Sequence, residues 1–246
     1  MHLSILTGAS RGLGLALAAQ LLTRGHRVLT MARRAPELAV PPGAEWLHWA
    51  VDLADAKPVA QRLGEWLAQQ KSAEIASVTL INNAGVVSRL APLSDVASDD
   101  LVNALRVGLE APTLLTAAFL RATAGWKTPR KVVLVSSGLG RRAMAGSGSY
   151  CAAKAGLDHL ARAVALEESA KPNGARIVAL APGVIDTDMQ VQLRASDAAL
   201  FPDRARFVDM KESGQLDSPA AAAAKLLAYL DRADFGTQPV GDVRDA

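Results

Sequence analysis

The sequence predicts an α/β chain: one doubly wound parallel sheet with helices on both faces. Three observations predict it. Strand-length apolar runs alternate with helix-length stretches along all 246 residues. Two of the runs, Val132–Val135 and Ile177–Ala181, are apolar throughout, as strands covered on both faces are. Finally, the first run passes straight into the turn Thr7-Gly8-Ala9-Ser10-Arg11-Gly12-Leu13-Gly14 and then into a helical pattern, the local order of a phosphate-holding βαβ unit.

Each element follows from its own pattern. Leu3–Thr7 is the first strand, and Leu13, Leu17 and Leu21 then recur at helical spacing. Gly25 ends that helix and Arg27–Met31 is the second strand, so a right-handed crossover and parallel pairing are expected. Glu45–Val51 is a strand candidate, Pro58–Gln70 a helix, Val78–Ile81 a strand, and Asp99–Ala124 one long helical stretch. Val132–Val135 is a strand, Ser147–Glu168 a helix, Ile177–Ala181 a strand, Pro219–Leu230 an alanine-rich helix and Val240–Val243 a last strand candidate. Between Gly183 and Asp217 the pattern is irregular but carries Met189, Leu193, Phe201, Phe207 and Met210. It follows a strand's carboxyl end, where such sheets bind ligands, so a substrate lid is expected at about residues 184–217. Neither a repeat nor a linker divides the chain, and residues 1–246 are expected to form one domain.

Composition narrows the functions. Half of the residues are hydrophobic and 21% are charged, which suits a large core and excludes disorder or a coiled coil. The formal charge of +3 is small and spread evenly, so neither a nucleic acid nor a membrane surface is an expected partner. The four histidines, His2, His26, His48 and His159, lack zinc-site spacing, and no metal is expected. Cys151 is the single cysteine, which excludes an internal disulfide and fits a reducing cytoplasm. There is neither a signal-peptide pattern nor an apolar run near the roughly 20 residues of a spanning helix, so a cytoplasmic protein is expected.

The glycine turn is expected to hold a dinucleotide through Gly8, Ser10, Arg11, Gly12, Leu13 and Gly14. Glycine lets a diphosphate approach the main chain, while free N–H groups and the positive end of the helix dipole face the anion. An NAD-preferring site places an acid at the end of the second strand, on the ribose 2′-hydroxyl. Here that place reads Ala32-Arg33-Arg34. An acid would repel a 2′-phosphate whereas Arg33 can pair with it, and Arg11 adds a second cation, so NADP(H) is the expected cofactor. The alternative is that Arg33 and Arg34 are a solvated strand end.

Tyr150 and Lys154, four residues apart in a helix, lie on one face. A phenol near pKa 10 is a poor proton donor or acceptor at neutral pH unless a neighbouring ammonium favours its phenolate. That pairing suits Tyr150 as general acid for carbonyl reduction or as base for alcohol oxidation, with the Ser137 hydroxyl, after the Val132–Val135 strand, holding the substrate oxygen. A packing tyrosine with a surface lysine has the same spacing.

In sequence order the chain shows Thr7-Gly8-x-x-x-Gly12-x-Gly14, Asn82-Asn83-Ala84-Gly85, Ser137, Tyr150-x-x-x-Lys154 and Pro182-Gly183-x-x-x-Thr187. This set resembles the short-chain dehydrogenase/reductase family. The resemblance implies a Rossmann-type sheet of about seven strands, with Ser137, Tyr150 and Lys154 as catalytic residues. It further implies that Lys154 holds the nicotinamide ribose beside Tyr150, and that Asp52 and Leu53 lie at the adenine. Asn83, Ala84 and Gly85 would line the cleft or brace the sheet, and Pro182, Gly183 and Thr187 would lie toward the nicotinamide.

The stretches Tyr150–Asp158, Ala181–Gln190 and Lys211–Leu216 are most similar to the branch holding sepiapterin reductases and bacterial benzil reductases. That likeness implies an NADPH-dependent reductase of ketones or vicinal dicarbonyls on a small, partly aromatic substrate. It also implies a homodimer through helices 99–124 and 147–168. Met189 in the lid is a candidate substrate contact. So is Asp242, near the place of a pterin-anchoring aspartate, with Asp245 or a solvated tail acid as the alternatives.

One position departs from the family. Where members have an asparagine four residues before a proline like Pro112, this chain has Gly108. The carbonyl that holds a relay water is kept, but the bracing side chain is lost. An NADP(H)-binding redox sensor with little turnover is therefore the alternative function. Asp186 and Asp188 are expected to cap the lid's first turn, with a substrate contact as the alternative, and Cys151 to be a small packing residue.

Overall fold

The computed structural model describes residues 1–245, whose strands form one seven-stranded parallel sheet. In chain order the elements begin β1 (His2–Thr7), α1 (Gly12–Thr23), β2 (Arg27–Ala32), β3 (Trp46–Ala50), α2 (Ala56–Ala68) and β4 (Ser77–Asn82). They continue α3 (Ser98–Leu105), α4 (Ala111–Ala122), β5 (Arg130–Val135), α5 (Gly148–Ser169) and β6 (Arg176–Ala181). The chain closes with α6 (Asp188–Ala195), α7 (Arg204–Glu212), α8 (Pro219–Asp231) and β7 (Val240–Asp242). Strand order is β3-β2-β1-β4-β5-β6-β7, with every pair parallel. The winding reverses between β1 and β4, and the crevice that such a reversal opens at the carboxyl ends is where ligands enter this architecture.

Alternate strand residues feed opposite layers. Ile5, Leu80 and Leu134 join Leu63, Leu115, Phe119 and Leu157 beneath α2, α4 and α5. Leu6, Ile81 and Val133 join Leu17, Leu21, Leu226 and Leu227 beneath α1 and α8. Both faces are dry, and this explains why these strands show apolar runs without polar alternation.

The stretch Asp99–Ala124 is helical almost to its end, as expected, with α3 and α4 joined through a π-turn at Arg106–Glu110. The wider turn meets α5 where side chains are small. A Cβ on Gly108 would lie 3.1 Å from Ala153 Cβ, and one on Gly156 would lie 2.8 Å from Leu109 Cδ1. One expectation is corrected: the segment after Gly183 is not irregular, since it holds α6 and α7. Helices this short are marginal alone and form on tertiary contacts. Here Leu193, Phe201 and Phe207 close on Leu90, Leu139 and Met144, with Phe201 fully buried and stacked on Phe207 at 5.7 Å.

Candidate active site

The glycine turn Gly8–Gly14 lies at the β1 edge of the crevice. Gly8 and Gly12 take φ of +70° and +54°, values that favour glycine. Gly14 answers a harder constraint, because a Cβ there would sit 2.1 Å from the Gly8 carbonyl oxygen. The first turn of α1 has no acidic residue and no side-chain cap, so its N–H groups remain free for an anion. These features fit a dinucleotide diphosphate.

From the β4 edge, Asn83 Nδ2 donates to the carbonyls of Thr7 and Gly8, both at 3.1 Å. Thr7 Oγ1 accepts from the backbone N–H groups of Asn83 and Ala84, both at 3.0 Å. Asn83 and Ala84 thus brace the two strands across the crevice, and Gly85 leaves room beside the Lys154 ammonium. At the end of β2, Arg33 and Arg34 are exposed and have no hydrogen-bond or ion-pair partner among the described residues. Asp52 Oδ1 accepts from Ala54 N at 3.0 Å and caps the short turn that holds buried Leu53.

Ser137 follows β5 in extended conformation and its hydroxyl accepts from Leu139 N at 3.2 Å. The fold brings it to Tyr150 on α5. Burial pushes the Tyr150 hydroxyl above its ordinary pKa, while a hydrogen bond with Ser137 pulls the other way. One turn along α5, Lys154 is 4% exposed, with Nζ 5.4 Å from the Tyr150 ring centre and donating to the Val135 carbonyl at 2.7 Å. Burial lowers Lys154 to about 8, although Asp158 favours its charge. Tyr150 and Cys151 also pack against the apolar cluster of Leu139, Met144, Met189 and Phe201. The site therefore has a proton-bearing polar centre walled by apolar and aromatic side chains. Ser136, Arg141 and the charge of Asp158 went unnoticed in the sequence; they form a buried network directly behind Ser137.

The segment after β6 rests on the glycine turn. Gly183 has φ +82°, and a Cβ on Gly12 would lie 3.2 Å from Thr187 Cγ2. Asp186 and Asp188 do not cap α6, which corrects the sequence expectation: the Thr187 cap position makes no side-chain bond. Asp188 instead pairs with Arg11 at 2.8 Å, and Asp186 with Lys211 at 2.6 Å, because these guanidinium and ammonium groups are within reach. Asp242 ends β7, but its carboxylate is doubly held by Arg244 at 2.8 and 2.6 Å. Asp245 lies in the short turn Val243–Asp245. No group of His, Cys, Asp and Glu among the described residues has the clustering of a metal site.

The sheet, the phosphate turn and the Ser137, Tyr150, Lys154 constellation define a nicotinamide-dependent oxidoreductase acting on small molecules. The sequence matches the short chain dehydrogenase family over residues 3–198, and the chain belongs to the short-chain dehydrogenase/reductase family. It is 35% identical to the benzil reductase ((S)-benzoin forming) of Bacillus cereus over 247 residues, covering 99% of this chain and 98% of that protein. It is 32% identical to the sepiapterin reductase of Rattus norvegicus, covering 94% of this chain and 92% of that protein. Among solved structures, a candidate NAD(P)-dependent gluconate 5-dehydrogenase from Beutenbergia cavernae, with NADP bound at low occupancy, superposes with a TM-score of 0.82. That match has 25% identity and covers 98% of this chain and 94% of the other. No helix among the described residues is long and apolar enough to cross a membrane.

Proposed function

We propose that this protein is an NADPH-dependent carbonyl reductase of small, partly aromatic ketones or vicinal dicarbonyls. The observation that carries the reading is the meeting of Ser137, Tyr150 and Lys154 beneath an apolar wall at the carboxyl ends of the strands. NADPH, when bound, supplies the hydride. Ser137 donates a hydrogen bond to the substrate oxygen as negative charge grows there, and Tyr150 gives that oxygen its proton. The Lys154 ammonium favours the tyrosinate left behind and holds the nicotinamide ribose. Met189, against the same wall as Tyr150, is the proposed apolar substrate contact. For Asp242 to anchor a substrate amino group, it would have to share the carboxylate that Arg244 now holds.

Preference for the phosphorylated cofactor is supported by Arg33 and Arg34, which have no partner among the described residues, and by Arg11 in the turn, whose pairing with Asp188 is solvent-exposed. Asp52 and Leu53 are proposed at the adenine, and Asn83, Ala84, Gly85, Pro182, Gly183 and Thr187 along the rest of the cofactor. A homodimer through helices 99–124 and 147–168 is supported by exposed Val102 and Leu105 on α3 and by Leu166 on α5, the last 75% exposed. Residues 184–217 are proposed as the substrate lid, and a single cysteine fits a cytoplasmic setting.

The test is NADPH consumption against benzil, sepiapterin and a simple aliphatic ketone. Turnover of benzil or sepiapterin is expected, with Tyr150→Phe lowering kcat by about 100-fold or more while NADPH still binds. Tight NADPH binding without turnover of any of them would overturn the reading in favour of the redox sensor.

A further inference from the structure

Behind the reacting groups lies a carboxylate that the reduction does not use. Asp158 sits one helical turn beyond Lys154 on α5 and is 1% exposed. A charge buried so deeply persists only where it is paired and hydrogen-bonded. Asp158 Oδ1 accepts from the Ser136 hydroxyl at 2.5 Å, and Oδ2 accepts from Arg141 Nε at 3.1 Å. Ser136 immediately precedes Ser137, and Arg141 closes the short turn Gly138–Gly140 that follows it. One carboxylate therefore grips the Ser137 segment at both ends.

The segment lies flush on the helix between those two grips. A Cβ on Gly140 would be 2.9 Å from Asp158 Oδ2 and 2.9 Å from the Lys154 carbonyl oxygen, so no side chain fits between them. Arg141 Nη2 also donates to the Gly241 carbonyl at 2.8 Å, which ties the same turn to β7. The need for such an anchor is geometric. Ser137 belongs to a loop after β5 while Tyr150 and Lys154 belong to α5, and both hydroxyls must reach one substrate oxygen. Hydrogen bonds tolerate only a few tenths of an ångström, and active-site side chains hold such positions through supporting contacts.

We propose that Asp158 is a positioning residue for the reduction: through Ser136 and Arg141 its carboxylate fixes the Ser137 segment against the helix that carries Tyr150 and Lys154. The proposal rests on the reductase reading above. A buried ion pair that served stability alone would loosen the whole site when broken. The positioning role confines the damage to the Ser137 segment and to turnover, leaving the cofactor crevice between β1 and β4 as it was.

The test uses the full chain and the variants Arg141→Met, Asp158→Asn and the two combined. Amide hydrogen exchange is followed along the chain, with NADPH oxidation on benzil and direct NADPH binding in parallel. Exchange at Leu139–Arg142 is expected to quicken, and kcat to fall, by about tenfold or more in each variant, given the cost of small misplacements. Measured well below pH 8, where Lys154 keeps its proton whether or not Asp158 is charged, the Kd for NADPH and the KM for benzil should stay within about twofold. The double variant should be no worse than the worse single one, since both break one linkage. Unchanged exchange at Leu139–Arg142, or a fall in kcat matched by an equal loss of NADPH affinity, would overturn the proposal. If Asp158→Asn fails to fold, Arg141→Met carries the test, since Arg141 is 33% exposed. A parent protein that consumes no NADPH would sink the reductase reading, and exchange alone would still decide whether Asp158 holds the segment.

Discussion

Replacing Arg33 by Asp is expected to abolish most of the preference for NADPH over NADH. Arg33 is exposed at the end of β2, so its field acts through something close to bulk water. Two unit charges about 6 Å apart in water interact by about 0.7 kcal/mol. A phosphate monoester carries about −1.5 to −2 at neutral pH, which raises the attraction to about 1–1.4 kcal/mol. Reversing the charge removes that attraction and adds a repulsion of the same size, about 2–3 kcal/mol in all, or about 30- to 150-fold in NADPH affinity. NADH lacks the phosphate and should hardly respond. Arg11 is not withheld from the phosphate by Asp188, because that pair is 72% and 68% exposed and is worth at most about 1 kcal/mol. Both cofactors can be titrated by nicotinamide fluorescence at low and high salt, where screening should shrink the effect. An unchanged ratio of the two affinities at low salt would refute the reasoning and leave Arg33 as a solvated strand end.

Gly14→Ala should weaken NADPH binding by about tenfold or more, since its methyl meets backbone and not a movable side chain; Gly64→Ala, with nothing within 4 Å, should bind normally and gain about 0.5–1 kcal/mol of stability. A normal Kd for the first would remove the close-approach argument. The reductase rate should fall as pH rises through about 8, where Lys154 loses its proton, because burial has already pushed Tyr150 above its usual range and it stays protonated there. An alkaline limb near the pKa of a free lysine, about 10.4, would contradict this. Phe201→Ala should destabilise the lid by about 3–5 kcal/mol. Hydrogen exchange in α6 and α7 should then rise while β1 stays protected, and a uniform rise along the chain would argue against a separate lid cluster.

Much of this architecture was legible because its signals are local. Apolar runs of strand length and the turn from Gly8 to Gly14 identify the sheet and its crevice without any knowledge of partners. The helices α6 and α7 were not legible, because they are short and pack through Phe201 and Phe207 against Leu90, Leu139 and Met144 across the chain. The π-turn at Arg106–Glu110 was hidden for a similar reason, as it seats Gly108 and Leu109 against Ala153 and Gly156 on another helix. The spacing of Tyr150 and Lys154 could be read directly. The pairing of Asp158 with Arg141 could not, since nothing in the sequence distinguishes a helix acid that turns inward from one that faces water. Asp186 and Asp188 show the opposite error: both looked like caps by position, and distant Lys211 and the turn residue Arg11 claimed them.

The seat of Thr187 and Asp188 on the phosphate turn has a consequence for the order of events in a turnover. If a dinucleotide lies along Gly8–Gly14 as proposed, it shares that turn with Thr187 and Asp188 at the root of α6. An alcohol product that competes with NADPH in steady-state inhibition would then be unexpected. The expected order is nucleotide first in and last out, with any movement of α6 counted among the steps of each cycle.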